Sequence, residues 1–207
     1  MRSVPGILLG LALTTALGQA HADEAGLDDR RPHWRVATSL VGGEMSMGGR
    51  DTPHGSLEFE VARARGSFQW LAAAQLGWMD GSPRDPMAGL PRLDGARLHA
   101  RIGGRWIART TRIDSSAAFQ LYFDAAIGVE TMAWRQLAPS GRPDLAFGWG
   151  LQVRGPPGPV QAFRIGLRLI AAPPIDEPAP AMQCADCVAP ERRPIETGFA
   201  SAIGVVW

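Results

Sequence analysis

The sequence predicts an all-β fold, an eight-stranded antiparallel up-and-down barrel, on three observations. Apolar residues recur with period two in eight separate segments, and the connections between those segments alternate between short and long. Beyond residue 22, no run of about 18 unbroken apolar residues occurs, which excludes helical membrane spans. The chain is 207 residues long, enough for one domain with a real core.

The segments follow in order. The first covers residues 34–43, and the second, 56–63, sets Leu57, Phe59 and Val61 against Glu58 and Glu60. The third, 67–79, places Phe68, Trp70, Ala72, Ala74 and Leu76 on one side; its alanine run near 70–77 also fits a helical period. In the fourth, Leu98, Ala100, Ile102 and Trp106 oppose Arg97, His99, Arg101 and Arg105. The fifth runs Phe119, Leu121, Phe123, Ala125, Ile127 and Val129 against Gln120, Tyr122, Asp124, Ala126, Gly128 and Glu130. The sixth and seventh oppose apolar residues 145–153 and 163–169 to alternating Gly, Ala, Gln and Arg, among them Arg164 and Arg168. The last sets Phe199, Ile203, Val205 and Trp207 against Gly198, Ala200, Ala202 and Gly204. Successive side chains of a strand point to opposite faces, so each segment has one apolar face and one face of glycine, alanine and charge. Glycine inside the pattern would cost a helix about 1 kcal/mol per residue, which supports strands over helices.

The connections after the second, fourth and sixth segments are short: 64–66, 110–116 and 155–159. Those after the first, third, fifth and seventh are longer and polar: 44–55, 80–94, 136–144 and 173–193. Short turns at one end and long loops at the other are the plan of a transmembrane barrel inserted from one side of a membrane. A soluble antiparallel barrel with irregular loops is the competing plan.

Residues 1–22 carry Arg2, an apolar run at 7–17 and the small-x-small ending Ala20-His21-Ala22, followed by Asp23-Glu24. This is the layout of a cleaved secretory signal, and the run is well short of the roughly 20 residues a spanning helix needs. The expected organisation is therefore a signal peptide at 1–22, a polar periplasmic lead at 23–32 and a barrel at 33–207. All 21 basic residues are Arg, and the chain has no Lys or Asn, a composition that reads as codon bias. With 20 acidic residues the net charge is +1, and removal of Arg2 leaves a neutral mature chain. No basic excess is present to neutralise phosphates, so nucleic acid is not an expected partner.

Which face points outward decides between membrane and water. The lumen of an eight-stranded barrel is just wide enough to be filled by side chains. If the apolar faces point out, glycine, alanine and charge fill the interior. Three features favour that arrangement. The non-apolar face is rich in small residues. Its charges can balance, with Glu58, Glu60, Asp124 and Glu130 available to Arg97, Arg101, Arg105, Arg164 and Arg168, and His99 joining the network; unpaired, such charges would be very costly inside. Finally Trp34, Trp70, Trp78, Trp106, Trp134 and Trp207 lie toward segment ends, where interfacial aromatic belts sit. Trp149 alone falls mid-segment, and Trp134 follows the polar parity unless the alternation slips there.

The ending Phe199, Ile203, Val205 and Trp207, apolar at alternate positions and stopping on an aromatic, resembles the C-terminal assembly signal of bacterial outer-membrane β-barrels. With the signal peptide and eight segments, the mature chain resembles a small eight-stranded outer-membrane protein, similar in plan to the transmembrane domain of outer-membrane protein A. The resemblance implies outer-membrane location, with outer-membrane lipid and the barrel-assembly machinery as partners; it implies no activity, cofactor or metal.

Cys184 and Cys187 form the one Cys pair, in the Pro-rich stretch before the last segment. Lacking a thioredoxin-like setting or neighbouring ligands, they are expected to form a short structural disulfide in an exported protein. Of the three histidines beyond the signal, His33 opens the first segment and His54 lies in the first long loop, near Glu44, Ser46 and Ser56. That set is the basis of an alternative, an outer-membrane lipid-modifying enzyme, though a histidine beside proline in a polar loop is usually just solvated. Met45 and Met47 hint at a methionine metal site. The leading expectation is a non-enzymatic outer-membrane barrel with a filled lumen, acting through its extracellular loops on a ligand the sequence does not identify, in a structural, adhesive or envelope-integrity role. A secreted soluble ligand-binding barrel is the third reading.

Overall fold

A computed structural model of the chain describes residues 33–47, 50–83, 93–114, 116–135, 139–156, 159–175 and 194–207. The expected signal peptide and lead, and the Cys184 and Cys187 pair, lie outside the described residues. Eight strands follow one another: β1 (His33–Met47), β2 (Arg50–Arg65), β3 (Phe68–Pro83), β4 (Leu93–Arg112), β5 (Ala118–Trp134), β6 (Ser140–Arg154), β7 (Ala162–Ala172) and β8 (Glu196–Val206). Each pairs antiparallel with the next, and β1 pairs with β8 from Ala37↔Val206 to Met45↔Gly198, closing the sheet. The alternating stretches are thus the walls of an up-and-down barrel with no free edge, as the period-two pattern predicts. The alanine run near Trp70 is strand, with Leu71, Ala73 and Gln75 buried and Trp70, Ala72, Ala74 and Leu76 exposed.

Most strands run beyond their apolar segments. Residues 44–55, expected as a long loop, are mostly ladder: Glu44 opposes Pro53, Met45 opposes Thr52 and Met47 opposes Arg50. Residues 80–83 extend β3, Asp80 opposes Asp94, and β6 begins at Ser140 inside the expected loop 136–144. Backbone pairing continues past the apolar band because it needs only backbone groups, whereas the alternation that reveals a strand needs a face buried in an apolar environment.

Short connections close the opposite end. The β2–β3 hairpin turns through Gly66 and Ser67, with Gly66 at φ +58°, a left-handed conformation that penalises any side chain. Between β4 and β5, Asp114 Oδ1 accepts hydrogen bonds from the Ser116 backbone N–H (2.7 Å), the Ser116 hydroxyl (2.9 Å) and the Ala117 N–H (2.8 Å). Those donors hold the Asp114 carboxyl below the usual carboxylate range. A register shift between Ile107 and Arg109 bends β4 just before this turn.

The sidedness of the wall is inverted relative to a soluble barrel. Leu40, Leu76, Ile127, Leu145 and Phe163 each expose more than half of their surface outward, while Glu58, Arg105 and Glu130 are at most 1% exposed. Trp34, Trp70, Trp78, Trp106 and Trp207 face out. Trp134 does not: the alternation of β5 continues without a slip through Met132 and Trp134, and both are buried inside. There they join Val41, Met45, Met47, Met79, Ile170, Ala172 and Ala200 in an apolar cluster that fills the long-loop end of the lumen.

Close packing around Tyr122 depends on two glycines. Tyr122, Gly150 and Gly166 are paired across β5, β6 and β7, and the Tyr122 ring lies where the two missing side chains would be. A Cβ on Gly150 would sit 2.6 Å from Tyr122 Cζ, while Arg105 Cζ lies 4.8 Å from the ring centroid. Gly150→Val is therefore expected to lower the unfolding free energy by about 1–3 kcal/mol through overpacking. Gly155→Ala, where a Cβ meets nothing within 4 Å, should change it little. Denaturant titrations of both variants, followed by tryptophan emission, check the contrast.

Candidate functional site: the charged lumen

The inward faces of β2, β4, β5 and β7 converge on two carboxylates. Alternation puts Glu58 and Glu60 on the lumen side of β2, and register sets them one row apart, opposite Gln75 and Ala73 of β3. Glu58 is clasped from across the barrel by Arg168, whose Nη1 and Nη2 donate to its two oxygens at 2.7 and 2.9 Å. Arg101 Nη2 donates to the same carboxylate at 3.1 and 3.2 Å, and Gln75 Nε2 at 2.6 Å. Glu60 receives Arg105 through both terminal nitrogens, at 2.7 and 2.9 Å, and Arg164 Nη1 at 2.7 Å. Arg105 also reaches Asp124 at 3.3 Å, and Arg164 reaches the Ser39 hydroxyl at 3.4 Å.

A second tier lies toward the long-loop end. Glu130 is held by Arg97 Nε and by Arg142 Nε, the latter at 3.1 Å. Arg142 also pairs with Glu196, donates to the Pro173 carbonyl at 3.2 Å and touches Met45 Sδ at 3.7 Å. Arg97 Nη1 donates to Gln75 Oε1 at 3.0 Å, which links the two tiers. His99 Nε2 lies 2.9 Å from Asp144 Oδ2.

The ten residues singled out as an internal network, Glu58, Glu60, Arg97, His99, Arg101, Arg105, Asp124, Glu130, Arg164 and Arg168, are all buried in the lumen. Arg142, Asp144 and Glu196 also belong to the network and are missing from that set. A signal for them exists: Arg142 and Asp144 share the parity of Ala146 and Gly148, and Glu196 that of Gly198 and Ala200. Pro143 and the expected loop obscured it. His54 does not lie solvated in a loop as expected: it belongs to β2, paired with Gly43 and Met79, and is buried. Glu44 is exposed on β1 while His54 and Ser56 are buried on the lumen side, so these residues do not converge on one surface. Met45 and Met47 belong to the apolar cluster. Phe199, Ile203 and Trp207 are exposed on the outer wall of the closing strand, with Val205 between them half-buried. Trp207 N donates to the Val36 carbonyl at 2.8 Å, tying the chain end to β1.

Each arginine that donates to Glu58 or Glu60 is paired with a carboxylate on another strand, so the ion pairs cross-link the wall through its centre, while Arg101 Nε and Nη1 and Arg105 Nε are buried without a hydrogen-bond partner among the described residues.

No protein-family model matches the chain, and no curated protein matches it. Among solved structures, Neisserial surface protein A aligns over 84% of this chain and 95% of its own, at 10% identity and a TM-score of 0.51. The chain shares the fold of that surface protein. Ail, the attachment invasion locus protein of Yersinia pestis, aligns at 11% identity over 86% of this chain and 99% of its own, with a TM-score of 0.41. The N-terminal barrel of OprF from Pseudomonas aeruginosa aligns at 9% identity over 86% of this chain and 100% of its own, with a TM-score of 0.38. The first likeness bears on fold, and the other two add no argument to it.

Removing one member of a buried pair strands its partners, a loss of about 3–5 kcal/mol. Glu60→Gln, which takes the paired carboxylate from Arg164 and leaves Arg105 only Asp124 at 3.3 Å, is expected to cost that much. Arg135→Ala, which breaks an exposed pair with Asp94 at 3.3 Å, should cost less than about 0.5 kcal/mol. Equilibrium unfolding of the two variants side by side checks the difference.

Proposed function

We propose that this chain is a non-enzymatic transmembrane barrel of a bacterial outer membrane, held rigid by its charged lumen and presenting its long loops as the contact surface. The observation that carries the reading is the inverted polarity of the wall, with aliphatic and aromatic side chains outward and ion-paired arginines of β4, β6 and β7 inward. In water such a wall would expose an apolar surface far larger than monomeric soluble proteins tolerate. In a bilayer the same wall is buried, and a closed sheet leaves no backbone group unpaired in hydrocarbon. Strands of 11 to 20 residues meet or exceed the roughly 9–11 that a tilted span needs. The two longest connections, β3–β4 and β7–β8, leave the same end of the barrel and orient it, with that end outside and the other toward the periplasm, although β1 and β2 at that end are joined by only two residues. A structural, adhesive or envelope-integrity role fits a rigid wall whose variable part is its loops. The burial of His54 and His99 inside the network supports this over lipid-modifying catalysis, which needs its groups at a lipid-accessible rim.

Two measurements test the proposal. In cell fractionation the protein should sediment with outer membranes and require detergent for release; recovery as a soluble monomer would overturn the membrane reading. In planar bilayers the filled lumen should give no large, steady conductance, and a stable porin-sized channel would overturn the plug.

A further inference from the structure

The two ends of the barrel are electrically unlike. Among the described residues, the short-turn end carries Arg35, Arg63, Arg65, Arg109, Arg112 and Arg154 against Asp114. The long-loop end carries Glu44, Asp51, Asp80 and Asp94 on its outer surface against Arg135. The sequence of residues 23–32, which leads into β1, adds four carboxylates and two arginines and still leaves the short-turn end three charges positive. The connecting residues 84–92 and 176–193 together make the long-loop end one charge more negative. A mature chain that is neutral overall is thus strongly polarised along its axis.

The positive end is also the aromatic end. Trp34, Arg63 and Trp70 form one cross-strand row on the outer face of β1, β2 and β3, and Arg63 Cζ lies 5.9 Å from the Trp34 ring centroid. In the next row Arg65 opposes Phe68, which opposes Trp106, and Trp106 stacks on Phe123 at 6.3 Å. Phe68 meets the edge of Trp70 at 5.0 Å. Arg109, past the β4 bulge, opposes Leu121 in the outward row of β5. Indoles settle at the headgroup level of a bilayer, so guanidinium groups seated among them are at phosphate depth, with a planar fork suited to a phosphodiester.

We propose that this collar, centred on Arg63 between Trp34 and Trp70, is a docking surface for anionic phospholipid headgroups of the phosphatidylglycerol type in the leaflet at the short-turn end. The proposal rests on the transmembrane reading above. Charge complementarity selects the lipid: a zwitterionic lipid offers the same phosphate but brings its own cation, whereas an anionic lipid neutralises the excess arginine. The negative long-loop end would repel the same headgroups, so the preference belongs to one leaflet.

The test folds the mature chain into phosphatidylcholine vesicles containing an equal fraction of either phosphatidylglycerol or phosphatidylcholine with brominated acyl chains, and reads quenching of tryptophan emission. Brominated phosphatidylglycerol should associate about fivefold more tightly, the effect of one arginine at an anionic surface. The preference should shrink at about 1 M salt, where the screening length falls to about 3 Å. It should vanish in the triple variant Arg63→Gln, Arg65→Gln, Arg109→Gln with the sheet spectrum by circular dichroism unchanged. Should that variant not fold, the salt dependence of the unmodified protein decides alone. Equal quenching by the two lipids, or a preference that survives salt or the triple variant, would overturn the collar. Quenching by neither lipid would overturn the transmembrane reading, and the collar with it.

Discussion

An ionised arginine inside a narrow barrel must find a carboxylate, and the rest of this molecule is arranged around meeting that demand. An eight-stranded wall encloses room for side chains and little else. Glu58 and Glu60, one row apart on β2, receive arginines from β4 and β7, which lie on either side of them around the barrel. Because the pairs span strands distant in sequence, they tie the wall across its centre, a constraint that hydrogen bonding between neighbouring strands cannot supply. Glycine at positions 148, 150 and 166 follows from the same crowding: a side chain there would occupy the space of Asp124, Arg168 or Tyr122.

The sequence is most legible where the wall is apolar outside and charged inside. β7 can be read from end to end, because Phe163, Ile165, Leu167 and Leu169 alternate strictly with arginine, glycine and alanine. The pattern fades where strands leave the apolar band, since the outward residues there need not be apolar. That is why residues 44–47, 50–55 and 140–144 read as loop although they continue the ladder. Pro53 and Pro143, of a type that ordinarily argues against a strand interior, both occupy exposed, outward positions. Extending the parity of β6 by three residues through Pro143 brings Asp144 and Arg142 into the network.

Trp134 shows how composition can mislead where parity does not. A tryptophan near a segment end suggests an interfacial belt, yet its even position in β5 places it with Met132 inside. The apolar cluster it joins lies toward the long-loop end and is interleaved with the second tier of ion pairs, where Met45 touches Arg142 and Ala172 opposes Glu196. Toward the other end the ion pairs give way to Gln120 and Gln152, hydrogen-bonded at 3.2 Å, with small residues such as Ala37 and Ala162. The outer surface has an axial order of its own, from an acidic loop end across an aliphatic band to a rim of arginine and tryptophan.

The central claim is that the outer wall faces hydrocarbon, and Ile127 tests it most directly. Its side chain points outward near the middle of β5 and is 57% exposed. Replacing it with Arg, and measuring the unfolding free energy from lipid vesicles, should show a loss of about 2–4 kcal/mol, the cost of a cation on the lipid face near the bilayer midplane. A change within about 0.5 kcal/mol, as for an ordinary substitution on a water-exposed surface, would contradict the account.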